Sequence, residues 1–111
     1  MREARIILPV NGNDGLSVEG AHKYLKMSLA SEFGGFSAIK ADGGWVDNDG
    51  ALQEEPVVIY DVAAPSGVLE DKLLHDIARV AGQKAGQICV YVKDFSGNVE
   101  LIKINHFFAV A

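Results

Sequence analysis

The chain has 111 residues, 49% hydrophobic and 23% charged, with a formal net charge of −5. That length suits one domain over 1–111, and the composition excludes a disordered chain. The acidic balance argues against a protein whose task is to hold nucleic acid, because that affinity comes from Lys and Arg neutralising phosphates.

The residues from Ala4 to Val10 are β-prone, and Asn11-Gly12-Asn13-Asp14-Gly15 reads as the loop that ends this strand. Ser17 is the expected N-cap of a first helix, whose apolar stripe is Val18, Ala21, Leu25, Leu29 and Phe33, with Gly34-Gly35 as its stop. Phe36 to Asp47 reads as a strand interrupted at Gly43-Gly44. Asp47-Asn48-Asp49-Gly50 is a hairpin turn, and the returning arm runs from Ala51 to Val62. The double glycine, level with Pro56 on the other arm, predicts a bulge or bend.

Pro65-Ser66-Gly67 opens a second helix with the stripe Leu69, Leu73, Ile77, Val80, Ala81 and Ala85, closed by Gly86. Ile88 to Lys93 and Val99 to Ile104 form a last hairpin, followed by the apolar tail Asn105 to Ala111. The order β-α-β-β-α-β-β contains the split βαβ unit of a ferredoxin-like sandwich, an antiparallel α+β sheet with two helices on one face. Period-2 alternation puts Ile6, Leu8 and Val10 of the first strand, and Ile88, Val90 and Val92 of the fourth, toward the helices. For the strand from Val57 to Val62 either set fits. The helix-free face is left with Ile7, Val57, Ile59, Cys89 and Tyr91, too apolar for open water, so a cover is expected: a second copy of the chain, the tail, or a ligand.

Gly44-Trp45, Asp47, Gly50, Leu52 and Glu55, followed by Val57 to Val62, resemble the core of a small uncharacterised bacterial protein family with a G-x-W, aspartate, glycine, glutamate hairpin. The segment Phe33-Gly34-Gly35-Phe36 is similar too. The likeness spans residues 4 to 93 and departs at Pro56-Val57, where the family has a small hydroxyl residue, and in the export signal that many members carry. It implies a ferredoxin-like α+β domain and no particular activity.

Chemical motifs are sparse. Placing Gly50 at the sixth position of a calcium loop puts Trp45 and Pro56 at its ends, where oxygen ligands are required, so the turn is structural. Neither G-x-G-x-x-G nor a Walker loop occurs, and the aromatic platforms of RNA-binding sandwiches reduce to Tyr91. His22, His75 and His106 make no metal-binding motif and read as boundary or surface residues. Cys89, the sole cysteine, lacks a sequence-adjacent activator and reads as a buried or interface thiol. Trp45, Glu54, Glu55 and Asp61 are the set most able to assemble a carboxylate site, set against a tryptophan that closes the core.

The sequence therefore predicts a cytoplasmic, non-enzymatic protein that self-associates, as a homodimer, through its helix-free sheet face or engages a protein partner there. It predicts no cofactor, metal, nucleic acid or membrane. Its ligand or interaction candidates are Trp45, Glu55, Asp61, Tyr91, Ile7 and Ile59, with no catalytic residue assigned. The alternative is a small-molecule binder or cofactor-free enzyme of the dimeric α+β barrel type, with Tyr60, Asp61, Tyr91, Arg5 and His106 around a pocket. A third reading, an acidic protein that blocks a larger partner, fits the −5 charge.

Overall fold

The computed structural model describes residues 1–12, 18–65 and 67–105. Strands β1 (Arg2–Pro9), β2 (Ser37–Val46), β3 (Leu52–Ala64), β4 (Cys89–Lys93) and β5 (Val99–Lys103) form one sheet in the order β2-β3-β1-β4-β5, antiparallel throughout. Helices α1 (Glu19–Phe33) and α2 (Val68–Lys84) lie on one face. This is the ferredoxin-like α+β sandwich, with β5 as an extra edge strand.

The register decides which side chains meet the helices. Ile6 pairs with Tyr60 on one side and Val92 on the other, and Leu8 pairs with Val58. Ile6, Leu8, Tyr60, Val90 and Val92 join Leu25 and Leu29 of α1 and Leu74, Ile77 and Ala81 of α2 in the main core. So Val58, Tyr60 and Val62 are the helix-side set, which alternation alone left open. The stripe of α1 is as expected, with Ala21, Leu25 and Leu29 buried and Phe33 packed against the core. That of α2 is rotated, centred on Leu74, Ile77, Ala78 and Ala81, while Leu69 is 79% exposed. Leucines at 69, 73 and 74 offered two overlapping faces, and packing on β4 selected the one through Leu74 and Ala78.

The helix ends follow local chemistry. α1 stops at Phe33 because Gly34 takes the left-handed conformation (φ 87°) and its N–H reaches the Ala30 carbonyl at 3.0 Å. The residue preceding α1 is Val18, without a side-chain cap, and the expected cap Ser17 lies outside the described residues. So do Asn13 to Gly15 of the first loop, Ser66 before α2, and the tail from His106. At the other end, Asp71 of α2 accepts the Phe95 N–H at 2.7 Å and the Ser96 hydroxyl, fastening the helix to the β4–β5 turn.

No bulge occurs at Gly43-Gly44. β2 and β3 pair without interruption from Ser37↔Asp61 to Val46↔Leu52. The glycine at 43 answers a crowding demand instead, since a Cβ there would stand 3.2 Å from Val57 Cγ1.

Because α1 packs over β3 and α2 over β4, no residue of edge strand β2 is buried, and its helix side is left open. The opposite face carries an apolar row across all five strands: Ile39, Ile59, Ile7, Tyr91 and Leu101, each the cross-strand partner of the next. Beside it runs a polar row of Ser37, Asp61, Arg5 and Lys93, ending on Val99.

Candidate functional site

A wide hollow lies where α1 hands over to β2. The left-handed turn at Gly34 sets Phe33, the last helical residue, and Phe36, just ahead of β2, on either side of a glycine pair. They are held there by rings, Phe33 against Phe95 at 5.2 Å and Phe36 edge-on to Tyr60 at 5.9 Å. Between them and the ends of β1 and β3 is a cleft of about 560 Å³ whose ionisable side chains are Glu3 and Asp61. On the other side of Phe33 a smaller hollow of about 240 Å³ adds Glu32 and Glu70 to apolar walls of Pro65, Leu69 and Leu73. Phe33 is thus the partition of a two-lobed cleft whose ionisable side chains are all carboxylates. Aromatic faces and carboxylates around one cavity attract cations.

Asp61 is held in place. Arg5 Nε donates to its Oδ1 at 2.7 Å and Nη2 to its Oδ2 at 3.0 Å, a two-pronged pair between neighbouring strands. The hydrogen bonds to Asp61 raise the Arg5 guanidinium above its usual range, against a smaller opposing effect of burial. Tyr91 and Lys93 flank the pair around a depression of about 180 Å³ on the helix-free face.

A second built site lies on the helix side, between α1 and the open edge β2. His22 Nε2 is 2.7 Å from the Pro9 carbonyl and Nδ1 is 2.6 Å from the Tyr60 hydroxyl. A carbonyl only accepts, so Nε2 carries the proton of the neutral ring, and the Tyr60 O–H donates to Nδ1. Burial pushes the Tyr60 phenol up to about 12, so it stays protonated at any physiological pH. The groove in front of this pair measures about 440 Å³, with Val58 and Ala38 on its floor and Lys26 and Lys40 on its rim.

All six residues singled out from the sequence belong to the helix-free side by strand alternation, yet they do not converge. Ile7, Ile59 and Tyr91 are consecutive in the apolar row, and Asp61 is in the row beside it. Trp45 and Glu55 stand on the outer arm of the β2–β3 hairpin, and Glu55 is six residues along β3 from Asp61, about 20 Å at ~3.3 Å per residue. Glu54 points to the other face, so the carboxylate set around Trp45 does not assemble. Trp45 is 50% exposed and closes no core. The pocket of Tyr60, Asp61, Tyr91 and Arg5 is divided by the sheet itself, since Tyr60 faces the helices, and His106 lies outside the described residues. Cys89 is exposed on this chain rather than buried. His75, on the flank of α2, sits between two carboxylates, 3.4 Å from Asp94 and 3.2 Å from Glu100.

Sequence reasoning missed Phe33 and Phe36 as walls of a cavity. Their signal was present, two aromatics bracketing a glycine pair at a helix-to-strand junction, but it was absorbed into the helix stop. It missed the His22–Tyr60 bond entirely, because 38 residues separate the partners.

No protein-family model and no curated protein matches the chain. Its fold does match solved structures. A phage SAM lyase in complex with S-methyl-5′-thioadenosine superposes with a TM-score of 0.71 at 18% identity, covering 96% of this chain and 92% of that one. A phage SAM lyase in the apo state gives 0.66 at 15% identity, with 96% and 90% covered. This overturns the non-enzymatic module expected from the sequence. That expectation rested on the lack of a linear catalytic motif in a small sandwich, and the same architecture, almost end to end, is that of an enzyme.

Proposed function

We propose that the chain is a lyase acting on S-adenosylmethionine, which it binds in the two-lobed cleft around Phe33. The observation that carries this reading is the near-complete overlap with a SAM lyase holding a thioether nucleoside. The chemistry of the cleft agrees with it. S-adenosylmethionine bears a sulfonium and an ammonium against one carboxylate, and Glu3, Glu32 and Glu70 favour such a cation, while Asp61 is already paired with Arg5. Phe33 and Phe36 offer ring faces to an adenine or a sulfonium.

Removing the aminobutyrate arm from the sulfonium leaves S-methyl-5′-thioadenosine. The arm's own carboxylate oxygen bonds to the carbon attached to sulfur as that carbon–sulfur bond breaks, its electron pair staying on sulfur, so the arm leaves as a lactone and the sulfonium becomes a neutral thioether. As the carboxylate closes on that carbon its charge and the sulfonium's cancel, which the apolar wall of Phe33 and Phe36 favours over the charge-separated bound substrate.

Incubation with S-adenosylmethionine followed by chromatography for S-methyl-5′-thioadenosine tests this. Product above the spontaneous background, reduced at least about tenfold in Phe36→Ala, is expected. Background-level product together with no calorimetric binding of the nucleoside overturns it.

A cytoplasmic location belongs to the same proposal, since the substrate is made and used inside cells; among the described residues no helix is long and apolar enough to cross a membrane. A second copy over the apolar row of the helix-free face is also proposed. Exposed Ile39 and Leu101 at its two ends support it.

A further inference from the structure

We propose that the groove between α1 and β2 is a second ligand site, for a small molecule that joins a flat apolar body to one anionic group. It is independent of the lyase reading and shares no lining residue with the two-lobed cleft.

Three observations carry it. The surface is apolar and its backing fixed: Val10, Ala38 and Val58 line it, and Tyr60, only 1% exposed, holds it in place rather than meeting a ligand. Its polar atoms are already satisfied, because the hydroxyl is committed to His22 Nδ1 and His22 Nε2 to the Pro9 carbonyl. A ligand body laid there displaces water from apolar surface without breaking an internal bond. Lys26, one turn along α1 from His22, and Lys40, on the helix side of β2, face each other across the opening. Neither has a hydrogen-bond or ion-pair partner among the described residues. Glu19 is also on the rim and already has a partner. Lys23 lines the neighbouring hollow that shares Glu19, His22 and Lys26 with the groove, which extends the basic character of this end of α1.

An inward-turned lysine on an edge strand also discourages strand-to-strand aggregation, which accounts for Lys40 alone. It does not account for Lys26, on a helix, nor for a volume of about 440 Å³ between them, within the range of small-molecule sites. The anionic group is a carboxylate or a phosphate, and two parallel titrations separate them.

The experiment titrates the ¹⁵N-labelled full chain with benzoate and with adenosine 5′-monophosphate, and with benzamide and adenosine as their neutral counterparts. At least one acid is expected to move the amides of His22, Lys26, Ala38 and Lys40 saturably at millimolar concentration, and the acid that does so identifies the group. The neutral counterpart, and the Lys26→Gln/Lys40→Gln double variant, are expected to bind at least about fivefold more weakly. Both lysines are exposed, so the variant keeps its fold, and its dispersed spectrum verifies that. Shifts confined to Phe33–Phe36, no saturable shift with either acid, or equal binding of the neutral counterpart overturns the proposal. None of these outcomes depends on the lyase assay.

Discussion

The Tyr60 hydroxyl and His22 Nδ1 lie 2.6 Å apart, and this bond ties the centre of β3 to the first turn of α1. Tyr60→Phe removes the donor and leaves Nδ1 of a half-buried ring unpaired. A loss of about 1 kcal/mol in urea unfolding is expected. Nitrogen NMR of the imidazole reads the tautomer directly, and the wild type should show the proton on Nε2.

The same phenol makes alkaline stability informative. Its folded value, about 12, lies above the ordinary 10, so between those values the unfolded state releases its proton first. Stability is fully present below about pH 10 and falls as pH rises toward 12. Tyr60→Phe should flatten that decline in unfolding followed by circular dichroism.

Asp94 contributes to the acid limb. Burial alone would raise its carboxyl, but the Asn98 N–H, together with hydrogen bonds to His75 and the Asn98 side chain, outweighs that and holds it below the usual range. Its contribution is present above the ordinary carboxylate range and is lost as pH falls through the lowered value. Asp94→Ala removes the acceptor that closes the β4–β5 turn, so a loss of about 1–3 kcal/mol at pH 7 is expected. The difference from wild type should shrink near pH 2 in thermal unfolding.

Gly82→Ala tests the seat of α2. A Cβ there would lie 2.7 Å from both Ile104 Cδ1 and Val90 Cγ2. Exchanging Gly for Ala inside an exposed helix stabilises by about 1 kcal/mol. Here overpacking, about 1–3 kcal/mol, opposes it. Net destabilisation in urea is expected, with Gly20→Ala, which meets open space, as the stabilised control.

Self-association is checked by light scattering. The wild type is expected above the mass of a single chain at micromolar concentration, and Ile39→Glu, at the edge of the apolar row, should return it toward one chain without unfolding it.

The sequence made the sandwich legible because its signals are local. Gly34, Gly50 and Gly97 stand in the left-handed conformation at the helix end and hairpin turns where punctuation put them. Alternation along β1 and β4 needs only neighbours to be read and holds for Ile6, Leu8, Val90 and Val92, but it fails just outside the strands, where Val10 is 38% and Ile88 72% exposed. The facing of Tyr60 did not yield to that logic, because both sets in β3 are apolar and only pairing with Ile6 chooses between them. The site was harder still. Glu3, Phe33, Phe36 and Asp61 come from three strand ends and a helix terminus, and their proximity is a product of topology. Carboxylates close together in sequence, Glu54 and Glu55, were the easier pattern to see, yet strand alternation sends neighbours to opposite faces.

Pro9 and Val57 are the last partners of β1 and β3, whereas β2 and β3 continue together to Val46 and Leu52. Trp45, the chain's one tryptophan, rides on that outer arm. Eight residues of β2, about 26 Å at ~3.3 Å each, separate it from Ser37 at the mouth of the cleft. Its fluorescence will follow the arm and the arm's neighbours while staying blind to a nucleoside beside Phe33. A flat tryptophan signal during a titration therefore says nothing against binding, and a changing one locates the event on the hairpin.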